Sequence, residues 1–119
     1  MAKLTHRLLP RYGNWGGPGW SGGQWQENYE NTDWTVPPTD SLDALFKEHD
    51  LSYQQTIANI PENKREAYFD TADRKLSNDA NALPQNPSKW PNPPTTASWW
   101  YAWGYRKLVI YIFDIRASN

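Results

Sequence analysis

Three ionisable side chains, His49, Asp50 and Asp73, fall on the apolar faces of two predicted helices. Burying a charge in such a place costs several kcal/mol unless the charge is paired or binds a metal ion. A single histidine there is usually a hydrogen-bonded core residue, but three such groups require a joint explanation. An aspartate that accepts the N–H of a histidine fixes its tautomer and leaves the other ring nitrogen as a base. The pattern therefore predicts a general base with an orienting carboxylate.

The first predicted helix begins after Asp40, whose side chain can cap it. Apolar residues recur along this helix with helical spacing, at Leu42, Leu45, Phe46, Tyr53, Ile57 and Ile60. His49 lies near the centre of this stripe and Asp50 at its edge. Successive helical residues point about 100° apart, so Asp50 cannot be the carboxylate that orients His49 and is free to face a cation.

The second predicted helix begins near Pro61, a residue type favoured at the first helical position. Its apolar stripe comprises Phe69, Ala72, Leu76, Ala80 and Leu83. Asp73 lies inside this stripe, four residues after Phe69, whereas Asp70 projects outside it into solvent. We expect the two helices to run antiparallel.

Glycine is concentrated before the first helix, since six of the seven glycines lie between Gly13 and Gly23. Such a segment predicts a loop that can turn several carbonyl oxygens inward. Calcium takes about six to eight oxygen ligands, often backbone carbonyls with a carboxylate. The same composition also fits a plain surface loop, and no acidic EF-hand pattern is present.

The rest of the chain is a proline-rich connector, residues 84–94, and an aromatic tail, residues 97–119. Five of the ten prolines predict that the connector is extended. Ser98 can cap a third helix from Trp99 to Phe113, although the apolar run from Leu108 to Phe113 also fits a buried strand. We favour the helix. The predicted fold class is mainly α.

Length and composition exclude several classes of protein. The 119 residues give room for a single domain, 1–119. There is no cysteine, which excludes disulfides and thiolate chemistry, and the net charge of −1 argues against a nucleic-acid-binding surface. The longest apolar run has six residues, far short of the roughly 20 that span a bilayer, and the N-terminus lacks the apolar region of a signal peptide. The sequence predicts a soluble protein.

Two motifs resemble those of one known family. Residues 49–53, His-Asp-Leu-Ser-Tyr, resemble the His-Asp-x-x-Tyr motif of phospholipase A2 enzymes. Residues 15–19, Trp-Gly-Gly-Pro-Gly, resemble the calcium loop of those enzymes. The loop is most similar to the Tyr-Leu-Gly-Pro-Gly form in the unique N-terminal region of the parvovirus minor capsid protein.

Further matches follow in the order of that viral pattern. Pro38 and Asp43 precede His49 by eleven and six residues, and residues 72–76, Ala-Asp-Arg-Lys-Leu, resemble an Ala-Asp-x-x-Phe motif. The resemblance covers residues 9–83. It implies a phospholipase A2-like fold with a glycine-rich calcium loop, two antiparallel catalytic helices and a C-terminal aromatic helix or strand.

The resemblance also assigns roles. It implies that His49 is the general base, that Asp73 orients it and that Tyr53 joins their hydrogen-bond network. It implies a Ca²⁺ ion bound by Asp50 and by three backbone carbonyls, those of Trp15, Gly17 and Gly19. The Gly17 N–H would form part of the oxyanion hole.

The eight tryptophans have three interpretations: core residues, a platform for sugars, or anchors at a lipid–water interface. The candidates for the interface are Trp20, Trp99, Trp100 and Trp103.

The implied activity is Ca²⁺-dependent hydrolysis of the sn-2 ester of glycerophospholipids, with a phospholipid membrane surface as partner. In a parvovirus-like setting this activity breaches the endosomal membrane during entry, with the protein part of a virion or delivered with it. The sequence also fits a stand-alone protein from a virus or a bacterium, which would be cytoplasmic or secreted without a recognisable signal peptide. The alternative is a non-catalytic lipid- or carbohydrate-binding module that uses the tryptophan-rich surface.

Overall fold

The computed structural model describes residues 10–26 and 28–118, so Leu9, where the family resemblance begins, lies outside the described residues. Helices are the dominant secondary structure of the described residues, which confirms the predicted mainly α class. The elements are two short strands and three helices, namely β1 (Trp20–Ser21), β2 (Gln24–Trp25), α1 (Ser41–Asn59), α2 (Glu66–Ala82) and α3 (Trp99–Ser118).

Both ends of α1 are closed by side chains. Asp40 is the N-cap, as predicted, and its Oδ1 accepts the Asp43 N–H at 2.8 Å. The other oxygen of Asp40 accepts the Tyr12 hydroxyl at 2.6 Å. At the C-terminus the Arg65 guanidinium donates to the carbonyl oxygens of Ile57 and Ile60 at 2.9 and 2.7 Å. These contacts satisfy backbone groups that a helix leaves without an internal partner.

The second helix starts later than predicted. Pro61 has ψ 144° and is extended, and a 3₁₀ turn (Glu62–Lys64) precedes the helix, which begins at Glu66. The prediction of a start near Pro61 was wrong because the chain needs this segment to reverse direction. The helix ends at Ala82, where Arg106 of α3 donates to the carbonyl oxygens of Ala80 and Asn81 at 2.8 and 3.2 Å.

Side-chain contacts show that α1 and α2 run antiparallel, as predicted. The rings of Tyr53 and Phe69 stack with centroids 4.3 Å apart, and Lys75 pairs with Glu48 at 2.9 Å. Later residues of α1 therefore meet earlier residues of α2. Glu48 and His49, near the middle of α1, consequently face the middle of α2.

The C-terminal segment is a helix, and the alternative of a strand was wrong. Ala102, Tyr105 and Val109 are buried at spacings of three and four residues, which is the period of a helix that packs on one side. Two tyrosine hydroxyls of α3 reach back to the start of the described chain. Tyr101 donates to the Arg11 carbonyl at 2.6 Å and Tyr105 to the Pro10 carbonyl at 3.1 Å.

The glycine-rich segment contains a small antiparallel hairpin that the sequence did not predict. β1 and β2 pair through Trp20 with Trp25 and Ser21 with Gln24. Before the hairpin, Tyr12 and Gly16 exchange two backbone hydrogen bonds of 2.8 Å each. The segment is thus a pair of tight, hydrogen-bonded turns.

The proline-rich connector is packed on the protein, and only part of it is extended. It contains a 3₁₀ turn (Pro87–Lys89), and the adjacent Trp90 is buried, with its indole N–H donating to the Pro84 carbonyl at 2.7 Å. Asn92 is tied to Ser41 by two hydrogen bonds of 2.8 and 2.9 Å. The connector therefore also fixes the start of α1.

The core draws on the glycine-rich segment, all three helices and the connector. Its buried side chains are Tyr12, Trp15, Leu42, Phe46, Leu76, Ala80, Trp90, Ala102, Tyr105 and Val109. Within the described residues, no helix is both long enough and apolar enough to cross a bilayer.

Replacement of Asp40 by Ala should destabilise the protein by about 2–4 kcal/mol, because the change removes an N-cap and leaves the buried Tyr12 hydroxyl without an acceptor. Urea unfolding followed by circular dichroism measures the loss. Asn78→Ala, on the exposed side of α2, is the matched control and should change the free energy of unfolding by less than about 0.5 kcal/mol. Equal effects of both changes would contradict the structural role of Asp40.

Candidate active site

The structure brings His49, Asp73 and Tyr53 together. His49 Nε2 lies 2.7 Å from Asp73 Oδ1, and the Tyr53 hydroxyl donates to the same oxygen at 2.7 Å. The side chains of His49 and Asp73 are 11% and 2% exposed. Because an ionised Asp73 can only accept, His49 Nε2 carries the hydrogen of this bond. In the neutral imidazole Nδ1 is then the free base.

The helices determine this geometry. His49 and Tyr53 are four residues apart and lie on one face of α1, and the antiparallel α2 presents Asp73 to both. The His49 ring also contacts Phe113 of α3 edge-on, with centroids 5.0 Å apart. Aromatic side chains from two helices therefore hold the imidazole in one orientation.

His49 lines a cavity of about 530 Å³ whose lining includes both polar and apolar residues. Its polar lining comprises Gly17, Gly19, Ser21, Gln26, Tyr29, His49 and Asp50. Its apolar wall comprises Phe46, Leu76, Leu108, Val109, Ile112 and Phe113. Such a cavity can hold a molecule with a polar head and an apolar chain.

Asp50 belongs to the polar lining and is nearly inaccessible, with 8% exposure. Its Oδ2 accepts the Ser21 hydroxyl at 2.8 Å, and Tyr29 lines the same cavity. Burial raises the pKa of Asp50 well above its usual value, more than the Ser21 hydroxyl lowers it. No lysine, arginine or histidine of the described segments pairs with Asp50.

The glycine loop supplies further oxygen atoms. Gly17 has φ +121°, a backbone conformation that residues with a side chain rarely adopt. The carbonyl oxygens of Gly17 and Gly19 accept the backbone N–H groups of Trp20 and Gln26 at 3.2 and 2.7 Å, and each retains a second lone pair. The Gly17 N–H donates no hydrogen bond to the described part of the chain.

The residues that could hold a cation are all oxygen donors: the Asp50 carboxylate and backbone carbonyls of Trp15, Gly17 and Gly19. Trp15, Gly17, Gly19 and Asp50 line one cavity. Oxygen donors suit a hard ion such as Ca²⁺, and a buried carboxylate without a cationic partner gains from one. Residues 10–26 and 28–118, this site included, contain no group of three or more histidine and acidic side chains that could hold a metal ion, so a cation here would depend on backbone carbonyls beside Asp50.

Asp43, which the sequence placed only within the family pattern, holds the loop in place. Asp43 is fully buried, and its two oxygens accept the backbone N–H groups of Asn14, Trp15 and Thr39 at 3.0, 2.9 and 2.9 Å. A Cβ at Gly13 would lie 2.5 Å from the Asp43 carboxylate, so only glycine fits there. Asp43 therefore joins the loop to α1.

A signal for Asp43 was present in the sequence. Asp43 precedes Asp50 by seven residues, about two helical turns, and so lies on the same side of α1. Its position beside Leu42 and Phe46 indicated burial. For Tyr29 there was no such signal, because Tyr29 lies in an irregular segment with φ +64°.

The four tryptophans proposed for a lipid interface have different surroundings. Trp20 packs against Trp25, with centroids 5.0 Å apart, and its indole N–H donates to the Gly13 carbonyl at 2.9 Å. On α3, the side chains of Trp99, Trp100 and Trp103 are exposed by 48%, 69% and 39%.

Comparison of the chain with protein-family models, with curated proteins and with solved structures gives no match.

Replacement of Asp43 by Ala should release the glycine loop and leave the helical pair formed, because three backbone N–H groups lose their common acceptor. Hydrogen exchange followed by NMR tests this amide by amide. We expect faster exchange at Asn14, Trp15 and Thr39, with protection in the middle of α2 retained. Gly13→Ala should have the same effect, since its Cβ displaces the Asp43 carboxylate. Unchanged protection at the three amides in both variants would contradict the anchoring role.

Proposed function

We propose that this protein is a Ca²⁺-dependent phospholipase A2, which hydrolyses the sn-2 ester of glycerophospholipids to a lysophospholipid and a free fatty acid. One observation carries the proposal. His49, hydrogen-bonded to Asp73, lines a single cavity with Asp50 and residues of the glycine loop, and apolar side chains complete the lining. The motif resemblance to the phospholipase A2 family supports the same activity.

In the proposed mechanism His49 Nδ1 takes a proton from a water molecule as the water oxygen attacks the ester carbonyl. Asp73 keeps the hydrogen on Nε2 and stabilises the imidazolium that forms, and Tyr53 holds Asp73 in place through its hydroxyl. The Gly17 N–H donates to the developing oxyanion. The imidazolium then protonates the alkoxide of the lysophospholipid as the carbon–oxygen bond breaks. The fatty acid thereby receives the hydroxyl of the water molecule, and the lysophospholipid receives the remaining hydrogen.

The proposed ligands of Ca²⁺ are the Asp50 carboxylate and the carbonyl oxygens of Trp15, Gly17 and Gly19. When bound, the ion supplies positive charge that polarises the ester carbonyl and stabilises the oxyanion. The apolar wall would accept the acyl chain of the substrate, with Phe46, Leu76 and Val109 as its buried part.

The proposed activity suits a protein that acts on membranes. Release of a lysophospholipid and a fatty acid weakens a bilayer, and membrane breaching during viral entry is the biological setting that the parvovirus resemblance favours. In that setting the protein belongs to a virion or is delivered with it.

His49→Ala should lower hydrolysis by about 10²- to 10⁴-fold, the usual contribution of a general base. The assay measures fatty-acid release from phosphatidylcholine mixed micelles in millimolar Ca²⁺ or in EGTA. The wild type should release fatty acid only with Ca²⁺. His6→Ala, which removes the only other histidine, is the matched control and should retain wild-type release.

Two results of this assay would overturn the proposal. Release that persists in EGTA or in His49→Ala would exclude the proposed chemistry. No release from folded wild-type protein in Ca²⁺ would favour a binding module without turnover.

Asp50→Asn should weaken Ca²⁺ binding by more than about tenfold, because the neutral amide removes the only charged ligand of the proposed set. Isothermal titration calorimetry with CaCl₂ measures the affinity without any need for turnover. Asp33→Asn, at an exposed aspartate in the segment before α1, is the control and should bind as the wild type does. Equal affinities in all three proteins would place the ion elsewhere.

A further inference from the structure

The solvent face of α3 carries an aromatic stripe. Trp100, Trp103, Lys107 and Tyr111 recur every three or four residues, so they share one side of the helix over about 16 Å. Trp100 and Tyr111 are 69% and 67% exposed. A row of large aromatic side chains in solvent marks an interaction surface.

The polar atoms of two of these rings are available to a partner. Among the described residues, the indole N–H groups of Trp100 and Trp103 have no protein acceptor. By contrast, the N–H groups of Trp99 and Trp20 donate to protein oxygens at 2.7 and 2.9 Å. A ring with an apolar edge and a free polar group favours the boundary between water and lipid. Trp100 and Trp103 therefore fit an interface, whereas Trp99 and Trp20 serve the fold.

Exposed cations accompany the stripe. Lys107 is exposed, and its Nζ lies 4.7 Å from the centre of the Trp103 ring. The sequence of α3 has a single acidic residue, Asp114, which follows the stripe. A second exposed cation, Arg11, lies beside α3: its carbonyl accepts the Tyr101 hydroxyl, and its guanidinium lies 4.4 Å from the centre of the Trp20 ring. Cations among interfacial aromatic residues complement anionic lipid headgroups.

The stripe is continuous with the cavity. Leu108 and Ile112, on its flank, are 42% and 40% exposed and also line the cavity that contains His49. A lipid surface laid against α3 would therefore meet the apolar wall of the site. A second copy of the chain fits less well, because a symmetric contact through this face would bring two Lys107 side chains together.

We infer that this face of α3 binds a membrane surface that contains anionic phospholipids. The face is defined as Trp100, Trp103, Lys107 and Tyr111, with Leu108 and Ile112 on its flank. The inference rests on the proposed function, because it takes the membrane to be the source of the phospholipid substrate. Its test, however, needs no turnover.

The test measures co-sedimentation of the His49→Ala protein with vesicles of phosphatidylcholine, alone or mixed with phosphatidylglycerol. Binding should be stronger to the mixed vesicles and should weaken as salt is added. In this background Lys107→Gln should lower binding to the mixed vesicles about fivefold and leave binding to phosphatidylcholine within about twofold. Trp100→Ala should lower binding to both kinds of vesicle, because it removes apolar contact.

Two matched controls keep surface effects apart from folding effects. Lys64→Gln and Tyr68→Ala change an exposed cation and a 51% exposed aromatic residue away from α3, and both should bind as the parent does. Equal binding to both kinds of vesicle, or equal losses in control and test variants, would overturn the inference. Self-association that Trp100→Ala abolishes, without vesicle binding, would also overturn it. Vesicle binding by a wild type that shows no turnover would support the membrane-binding role of this face and contradict the proposed enzymatic activity.

Discussion

The geometry of the site depends on one buried carboxylate, that of Asp43. It accepts backbone N–H groups from Asn14 and Trp15 of the glycine loop and from Thr39, just before α1. Asp43 therefore joins the loop and the segment before α1 to the helix. A glycine-rich loop is costly to order, at about 1–2 kcal/mol of backbone entropy for each residue. Because the chain has no cysteine, hydrogen bonds to Asp43, rather than a disulfide, hold the loop against α1.

Two arginines, Arg65 before α2 and Arg106 within α3, have a comparable effect on the helical pair. Arg65 closes the C-terminus of α1 and Arg106 closes that of α2, and neither helix ends in the glycine that often terminates helices. Each helix end is thus satisfied by the element that follows it in the chain. This interdependence keeps α2 in register with α1, so that Asp73 reaches His49 at hydrogen-bond distance.

The sequence was informative where helical periodicity applies. The period of α1 and α2 predicted that His49 and Asp73 share a buried interface, because both lie in apolar stripes. Periodicity could not predict the hairpin of β1 and β2, whose strands have only two residues each. Nor could it place Tyr29 beside Asp50, since that contact depends on the path of an irregular segment. The start of α2 was predicted too early, because proline is also common in the turn that precedes a helix.

The hydrogen bonds that join α3 to Pro10 and Arg11 connect residues 95 and 90 positions apart. Helical proteins that fold within microseconds to milliseconds do so mainly through local contacts, and long-range contacts slow the search. The contact between His49 and Asp73 spans 24 residues, whereas the cavity also needs its apolar wall from α3. We therefore expect the cavity to be completed after the helical pair, so that a partly folded chain would have the histidine–aspartate pair without the enclosed space beside it.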